Sequence, residues 1–514
     1  MVRNAPALIP VIYLTACLLI ALTKIKYRQY AYPMAVAAAA LASAVSVGML
    51  VHVVRYGPLH YHFGGWIPPL GIEYSIDHLS GFVAVVINIV ATIVLVHSLH
   101  VNKIELVRKV VPYYSVAMLL MLGLNGIVIT GDFFNLFVFL EIASLASYGL
   151  VATGERGSAF AALRYLILGT VGASFYLLGL GFLYINTGSL NMADLALIIP
   201  LLQPHNDPAI IIALVFMVVG IAIKMAIFPL HGWLPDAYTL APSTTSALIA
   251  PIGTKVASYI LIRALFFVYG ANLVSKGIPV LTILGWLSAA GIIYGSILAI
   301  AQSELKRMLA YSSVAQVGYI GLGVSMANPL GFIGAVLHVV NHATMKACLF
   351  LVAANMRVHM GHSDISRFDS SYRVKMPFTM AAFTVAAISM VGLPPLAGFF
   401  SKWYLALATI ENSQWIFLGV ILVSSLLNAV YFFRVIEKVY MKSPSDKTVN
   451  DQHSGGRDDH QAAPEEEAVT FGSGEPGPSM LVPVIIFAVA LLLLGIFNAV
   501  IVTTLIKPMI PLGL

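Results

Sequence analysis

The chain has 514 residues, of which 59% are hydrophobic and only 10% are charged. Soluble globular domains carry about 25% charged residues, so this composition excludes a water-soluble enzyme and predicts an all-α polytopic membrane protein. The net charge of +6 gives no support for nucleic acid as a partner, because basic loops beside a lipid bilayer produce the same surplus.

Apolar runs long enough to cross a bilayer recur along the whole chain. A transmembrane helix needs about 20 mostly apolar residues. Helix breakers and charge clusters separate fourteen such runs, which we expect at 7–23, 33–54, 77–98, 112–130, 133–153, 164–186, 209–229, 243–268, 279–301, 308–326, 330–355, 377–404, 415–439 and 480–506.

The distribution of lysine and arginine predicts the orientation of these spans. Cytoplasmic loops carry most of the basic residues of a membrane protein. Alternate loops contain 19 basic residues, among them Lys306, whereas the loops on the other side contain five, among them Arg263. This imbalance predicts a multi-pass protein of a prokaryotic cell membrane with both termini external. Residues 443–479 are rich in Ser, Gly, Pro and acids, which predicts a disordered cytoplasmic linker.

Four lysines that are not counted with the loops and one glutamate well inside a span fall within the predicted helices, where an ionised group costs at least about 2.5 to 3.5 kcal/mol on insertion scales. Such residues are usually paired, in contact with water and functional. The alternative is that they join helices structurally, or that the lysines extend to an interface. The five residues are Glu141, Lys224, Lys255, Lys346 and Lys402.

The eleventh predicted span carries a row of titratable side chains. His338, His342 and Lys346 recur at i, i+4 and i+8 and therefore share one helical face. A buried lysine beside a carboxylate can change its charge state when that partner moves. We therefore interpret the row as part of a proton wire.

No other chemistry is indicated by the sequence. It contains no phosphate-binding loop, dinucleotide fingerprint, Ser/His/Asp arrangement or zinc-protease motif, so we expect neither catalysis nor a cofactor in this chain. The only cysteines, Cys17 and Cys348, lie in apolar runs and cannot form a four-cysteine metal site. His60 and His62 lack a third metal ligand, so we expect them to be solvated and expect no metal.

Two of the charged spans contain helix breakers near the lysine. Lys224 is followed by Pro229 in GIAIKMAIFPLHGWLPDAY, and Lys402 follows Pro394 and Pro395 in VGLPPLAGFFSKW. Proline removes a backbone donor and opens a helix, and in transporters such breaks in matching halves mark ion sites. The two lysines are 178 residues apart, a separation that fits two repeats of about five spans. A packing kink is the alternative for either proline site.

Several segments resemble one known family. They are FFNLFVFLEIASLASYGLV, FPLHGWLPDAYTLAPSTTSALIA, SELKRMLAYSSVAQVGYI, HVVNHATMKACLFL and GLPPLAGFFSKW. They are similar to the antiporter-like subunits that respiratory complex I, membrane-bound hydrogenases and Mrp-type cation/proton antiporters share. The resemblance covers approximately residues 70–440.

This resemblance implies about fourteen transmembrane helices in two inverted five-helix repeats, with broken helices at spans 7 and 12. It implies that Glu141 pairs with Lys224, that Lys255, His338 and His342 continue a polar axis, and that Lys402 ends it. The corresponding regions are 1–111 (N-terminal three-helix region), 112–268 (first repeat, spans 4–8), 279–440 (second repeat, spans 9–13), 441–479 (linker) and 480–514 (C-terminal helix).

The same resemblance implies a proton-translocating subunit that works with other membrane subunits. Lysine at position 402 departs from the M-type subunit of complex I, which carries glutamate there. The chain also ends too soon for the lateral helix of the L type or the extension of the large A-type Mrp protein. A D-type subunit of a Na⁺/H⁺ antiporter is the first expectation, with Na⁺ as a further transported ion. A subunit of a redox-driven complex I-like or hydrogenase complex and a non-conducting scaffold are the alternatives.

Overall fold

A computed structural model describes residues 4–23, 27–155, 157–202, 208–276, 279–443 and 474–514. Most of the predicted linker, residues 444–473, lies outside this described part. Long apolar runs become helices throughout, because a helix satisfies its own backbone hydrogen bonds in a medium without water.

The N-terminal region contains three long helices and a small hairpin. Helices α1 (Ala5–Leu22) and α2 (Ala31–Tyr56) precede strands β1 (Leu59–His62) and β2 (Glu73–Ile76), which pair antiparallel with His62 opposite Glu73. Helix α3 (His78–Glu105) begins directly after the hairpin, with Asp77 as its N-cap. The rest of this region is helical, as predicted, and the hairpin is a small addition to it.

The central part of the chain continues with five long helices that correspond to predicted spans and with two short helices that were not predicted. These are α4 (Val110–Ile129), α5 (Phe133–Ala152), α6 (Ser158–Thr187), the short α7 (Met192–Leu201), α8 (Pro208–Met225), α9 (Leu234–Leu240) and α10 (Ser243–Ile262), which runs into a π-helical turn (Arg263–Val268).

The C-terminal part follows the same pattern, again with one interrupted helix. Its helices are α11 (Ala271–Lys276), α12 (Val280–Ile300), α13 (Leu305–Ser325), α14 (Pro329–Met360), α15 (Ser371–Lys375), α16 (Pro377–Val391), α17 (Ala397–Glu411), α18 (Trp415–Met441), α19 (Pro478–Ile496) and α20 (Asn498–Ile501).

The membrane fold predicted from composition is confirmed. Within the described ranges, twelve helices are long and apolar enough to cross a bilayer, and shorter apolar helices accompany them. The count of fourteen spans, the inverted repeats and the regional boundaries stay predictions.

Two helices form the centre of the molecule. Every residue of α14 from Gly331 to Met356 is buried, and α10 is buried over nearly its whole length and packs against α14. Helices α1, α2, α18 and α19 lie at the periphery and expose apolar side chains, as lipid-facing helices do. The two central helices also carry Lys255, His338, His342 and Lys346, so these polar groups are shielded from lipid.

Candidate functional site

Glu141 and Lys224 meet at the first helix break, as the sequence predicts. Lys224 lies in the last turn of α8, and its Nζ is 3.6 Å from Oε1 of Glu141 on α5. The ammonium donates hydrogen bonds to Ser144 Oγ at 2.7 Å and Tyr148 OH at 3.3 Å. Among the described residues, Glu141 Oε1 has no hydrogen-bond partner. The carboxylate is thus a near neighbour of the ammonium and not its main hydrogen-bond acceptor.

The first break lies between the end of α8 and the start of α9 and contains Pro229. The chain leaves the helix at Ala226, whose φ is +62°. An interrupted helix leaves backbone carbonyls without partners. The indole of Trp233 returns to this helix end and donates to Ile223 O at 2.9 Å. The break is therefore held in place by a tertiary contact.

A small cavity adjoins Lys224. It has a volume of about 50 Å³ and lies between α5, α6 and α10, with Ser144, Ser147, Tyr165 and Gly253 in its wall. One water molecule needs about 10 to 15 Å³ measured in this way. The cavity has room for a few waters between Lys224 and α10, the helix that carries Lys255.

Lys255 lies in the middle of α10 with 2% of its surface exposed. Its Nζ donates to Ala250 O at 2.7 Å and to Thr254 Oγ1 at 3.3 Å, both on its own helix. No carboxylate in the described part of the chain lies within ion-pair distance of this ammonium. Lys255 therefore differs from Lys224 in having only neutral acceptors.

The predicted row on α14 is present and fully buried. The rings of His338 and His342 lie with centroids 5.7 Å apart, and His338 Nδ1 is 2.9 Å from Ser401 Oγ. Lys346 Nζ donates to Leu309 O at 2.6 Å and to the hydroxyl of Ser312. Both ring nitrogens of His342 lack a partner among the described residues. Unpaired buried nitrogens are costly, so this position is suited to a water or a transient proton.

Lys402 caps the end of a broken helix. Its Nζ donates to Met390 O at 2.9 Å and Val391 O at 3.0 Å, the last carbonyls of α16. The same ammonium lies 4.9 Å from the ring centroid of Tyr319. A helix C-terminus carries partial negative charge and unsatisfied carbonyls, so it attracts a cation.

The second break comprises the residues between α16 and α17, including Pro394 and Pro395. Gly392 has a φ of +92°, and a Cβ there would lie 3.0 Å from Cδ of Lys402. Glycine is therefore required both for the left-handed turn and for the close approach of the lysine.

Sequence reasoning missed a polar cluster at one end of α10. Lys306, which was assigned to a loop, has 1% of its surface exposed and donates to Ala241 O at 2.6 Å. Nearby, Glu105 accepts hydrogen bonds from the backbone and hydroxyl of Ser243, and Arg357 lies 3.8 Å from Glu105. These residues stand at helix ends, where sequence cannot separate a buried side chain from a solvated one.

Arg263 was also misassigned, because it was counted with the loops. It lies at the other end of α10 and donates two hydrogen bonds to Asp77, at 2.6 and 2.8 Å. His60 and His62, expected to be solvated, lie 3.2 and 3.6 Å from Glu73 Oε2. In the described ranges, no group of three or more His, Cys, Asp or Glu side chains is arranged to hold a metal ion.

The helical membrane fold with two interrupted helices and buried lysines and histidines places the chain in the class of antiporter-like membrane subunits. The chain belongs to the NADH:quinone oxidoreductase/Mrp antiporter transmembrane family of proton-translocating subunits of multisubunit complexes, whose profile matches residues 130–428. That interval contains all the residues of the predicted axis.

Similar proteins fall into both branches of this family. NADH-quinone oxidoreductase subunit N of Desulforudis audaxviator is 48% identical over 93% of each chain. The D-type subunit of the Na⁺/H⁺ antiporter of Alkalihalophilus pseudofirmus is 32% identical over 76% of this chain and 78% of its own. Its Bacillus subtilis counterpart of the same name is 30% identical over 82% and 83%.

Solved structures of multisubunit membrane complexes show the same fold. A chain of the archaeal membrane-bound sulfane sulfur reductase has a TM-score of 0.86 at 27% identity, with 98% of this chain and 97% of that chain covered. A chain of the Mrp complex from Dietzia sp. scores 0.85 at 23% identity, covering 99% and 98%. A chain of Thermus thermophilus respiratory complex I scores 0.73 at 24% identity, covering 98% and 99%.

Proposed function

We propose that this chain carries protons through the membrane along an axis formed by Glu141, Lys224, Lys255, the α14 row and Lys402. The observation that carries the proposal is the pairing of Glu141 and Lys224 beside a cavity large enough for water. A charged pair at this depth is costly, and a fixed structural pair would have no need of a water-sized space against α10, the helix that carries Lys255.

The contacts of Lys224 suit a switch. Its shortest hydrogen bond goes to the neutral Ser144 hydroxyl. If Glu141 moves away, the ammonium therefore keeps a hydrogen-bond partner. Loss of the carboxylate removes the charge that stabilises the ammonium, and burial then favours release of its proton. The released proton then moves through the cavity toward α10.

Lys402 has the properties of the terminal carrier. Its hydrogen bonds to Met390 O and Val391 O, like the bond to Ser425 Oγ at 3.3 Å, are to neutral acceptors. An ammonium held only by neutral groups can lose its proton without leaving a buried carboxylate unpaired. Lysine can act in this way, whereas arginine remains protonated.

A membrane scaffold that moves no ions is the rival from another class. A scaffold needs Glu141 only for packing and tolerates glutamine, which has nearly the same shape. The test is proton movement by the reconstituted complex with Glu141→Gln. Full activity of this variant would favour the scaffold, and loss of transport with intact assembly supports the relay.

The assembly that contains this chain is a separate question. The antiporter expectation is supported by relatives named as D-type antiporter proteins and by the likeness to the Mrp fold. The redox-driven alternative is supported by the 48% identity to a protein named as subunit N, which exceeds the identity to the D-type relatives. We therefore propose both a redox-driven complex and an antiporter as candidate assemblies. Protons are transported in either case, and Na⁺ is a further transported ion only in the antiporter.

Isolation of the native complex distinguishes the two assemblies. A redox-driven complex co-purifies with subunits that give flavin or iron–sulfur absorption. An antiporter lacks these signals and shows Na⁺-dependent proton exchange in vesicles. On the orientation given by the basic loops, we propose that Glu105 and Lys306 face the cytoplasm of a prokaryotic cell and that the hairpin and both termini are external.

A further inference from the structure

The end of α10 nearest the hairpin carries a second row of polar side chains. Lys255, Tyr259 and Arg263 recur at i, i+4 and i+8 and share one face of the helix. Eight residues of α-helix span about 12 Å, so this row leads from the middle of the bundle toward its hairpin side. None of the steps from Lys224 to Lys402 uses Tyr259 or Arg263.

Tyr259 lies one helical turn from Lys255 and lines a polar cavity. It has 2% of its surface exposed, and its hydroxyl donates to Val128 O at 2.9 Å and accepts from Arg263 Nε at 3.2 Å. A hydroxyl both donates and accepts, so it can take one proton while releasing another. Arg263 is fixed beside it by the two hydrogen bonds to Asp77.

The cavity beyond Tyr259 has a volume of about 190 Å³. Its wall includes Tyr259, Arg263, Thr130, Ser75 and Glu73, so several of its groups can bind water. At about 10 to 15 Å³ per water, it has room for a chain of several molecules. The space thus links a hydroxyl on α10 with a carboxylate on the hairpin.

Glu73 is the acidic group at the far side of this cavity. It is 5% exposed, and its carboxylate accepts from Asn191 Nδ2 at 2.9 Å and contacts the imidazoles of His60 and His62. His60 has half of its side chain exposed and His62 about a third. The two histidines therefore connect the buried carboxylate with the surface.

We propose that Tyr259, the water-sized cavity and Glu73 form a second proton path, which joins Lys255 to the hairpin side of the membrane. Lys255 exchanges its bond to Ala250 O for one toward Tyr259 and gives its proton to the phenol oxygen. At the same time the O–H of Tyr259 turns from Val128 O toward the cavity and releases its proton to cavity water, and that water protonates Glu73. Lys255 is left as a neutral amine, Tyr259 remains neutral and its new O–H turns back to Val128 O. Glu73 then passes the proton to His60 or His62.

This path selects protons over metal cations. A proton crosses Tyr259 by exchange of O–H bonds, whereas Na⁺ would have to pass a closely packed phenol ring. The chain would in this way release or take up protons at the hairpin side without a leak of Na⁺.

The proposal rests on the proposed proton relay, so Glu141→Gln is included as a reference. The first test measures proton movement by the complete complex in liposomes, with Tyr259→Phe and Glu73→Gln at matched assembly. We expect each variant to be about tenfold slower, a smaller loss than a positioned acid–base group usually causes, because cavity water can replace part of the path. Glu73→Asp keeps the carboxylate and should recover part of the rate.

A second test needs no change of a titratable group. Ala193 on α7 lies in the cavity wall, so Ala193→Trp should block the space and slow transport. Leu197→Trp on the same helix is the control, because that side chain is 72% exposed and does not line the cavity. Parent-like rates for Tyr259→Phe, Glu73→Gln and Ala193→Trp, with Glu141→Gln inactive, would overturn the second path and leave the relay standing. Full activity of Glu141→Gln would instead overturn the relay.

Discussion

Each of the two helix breaks has a buried lysine beside it, and the two ammonium groups have different partners. At the first break, the ammonium of Lys224 has a carboxylate within 3.6 Å and hydroxyl acceptors on α5. At the second break, the ammonium of Lys402 has the open carbonyls of α16 and, among the described residues, no carboxylate in ion-pair contact. A buried lysine can therefore be stabilised either by a carboxylate on another helix or by the carbonyls and dipole of a helix end.

Under the proposed relay, this difference gives the two lysines different tasks. A carboxylate on another helix can move toward or away from Lys224, so the charge state there depends on conformation. The carbonyls around Lys402 belong to the backbone and stay in place, so its charge state depends on the supply and removal of protons. The first lysine fits a switch, and the second fits a carrier.

The largest expected effect is at the first break. Glu141→Ala and Lys224→Ala should each reduce proton movement at least about a hundredfold, as loss of a positioned acid–base group does, while the complex still assembles. Their double variant should be little worse than either alone, because both changes disable one unit. Glu155→Gln is the control, since Glu155 is an exposed acid at a helix end. Additive losses in proteoliposome assays would contradict the coupling.

The second prediction concerns the carrier at the other break. Lys402→Arg should keep the positive charge and the assembly but reduce proton movement as strongly as Lys402→Ala, because arginine does not release its proton. Lys438→Arg is a matched control, as Lys438 also donates to a backbone carbonyl but lies on a peripheral helix. The measurement is proton exchange in inverted vesicles at equal expression. If Lys402→Arg works like the parent, Lys402 is a structural charge.

Removing one hydroxyl acceptor from each lysine should slow transport to different extents. Ser144→Ala deletes a 2.7 Å acceptor of Lys224 and should slow transport about tenfold, in line with a hydrogen bond to a charged group. Ser425→Ala deletes a 3.3 Å contact of Lys402 and should slow it less than about threefold, since the two carbonyls remain. The assay is initial proton flux at several substrate or cation concentrations, and the opposite order would contradict the comparison.

The smallest effect on activity is expected from two cysteine substitutions. They serve to report which side of the membrane each end of the helical bundle faces. Leu70→Cys, next to the hairpin, and Val374→Cys, in α15, change strongly exposed side chains and should leave transport unaltered. In a background with Cys17 and Cys348 replaced, an impermeant maleimide applied to intact cells should label position 70 and not position 374. The reverse pattern would invert the proposed topology.

Sequence by itself determined the membrane class, the approximate helices, both breaks and the row on α14. These features depend on local rules: the length of an apolar run, the missing donor of proline and the spacing of residues on one helix face. The relation between Glu141 and Lys224 also came from sequence, through resemblance to a family. The buried lysines and Glu141 could be singled out from the sequence for a similar reason, since a charge within an apolar run is visible in the run itself.

Only the tertiary structure decided which partners each charge has. The carbonyls that hold Lys402 come from a neighbouring helix, Lys306 is buried by the chain segment before α10, and Arg263 meets Asp77 across 186 residues. The hairpin that brings His60 and His62 to Glu73 is too short to show a clear strand pattern. Such contacts depend on how distant segments pack, and near helix ends a polar residue fits both a buried and a solvated position until that packing is known.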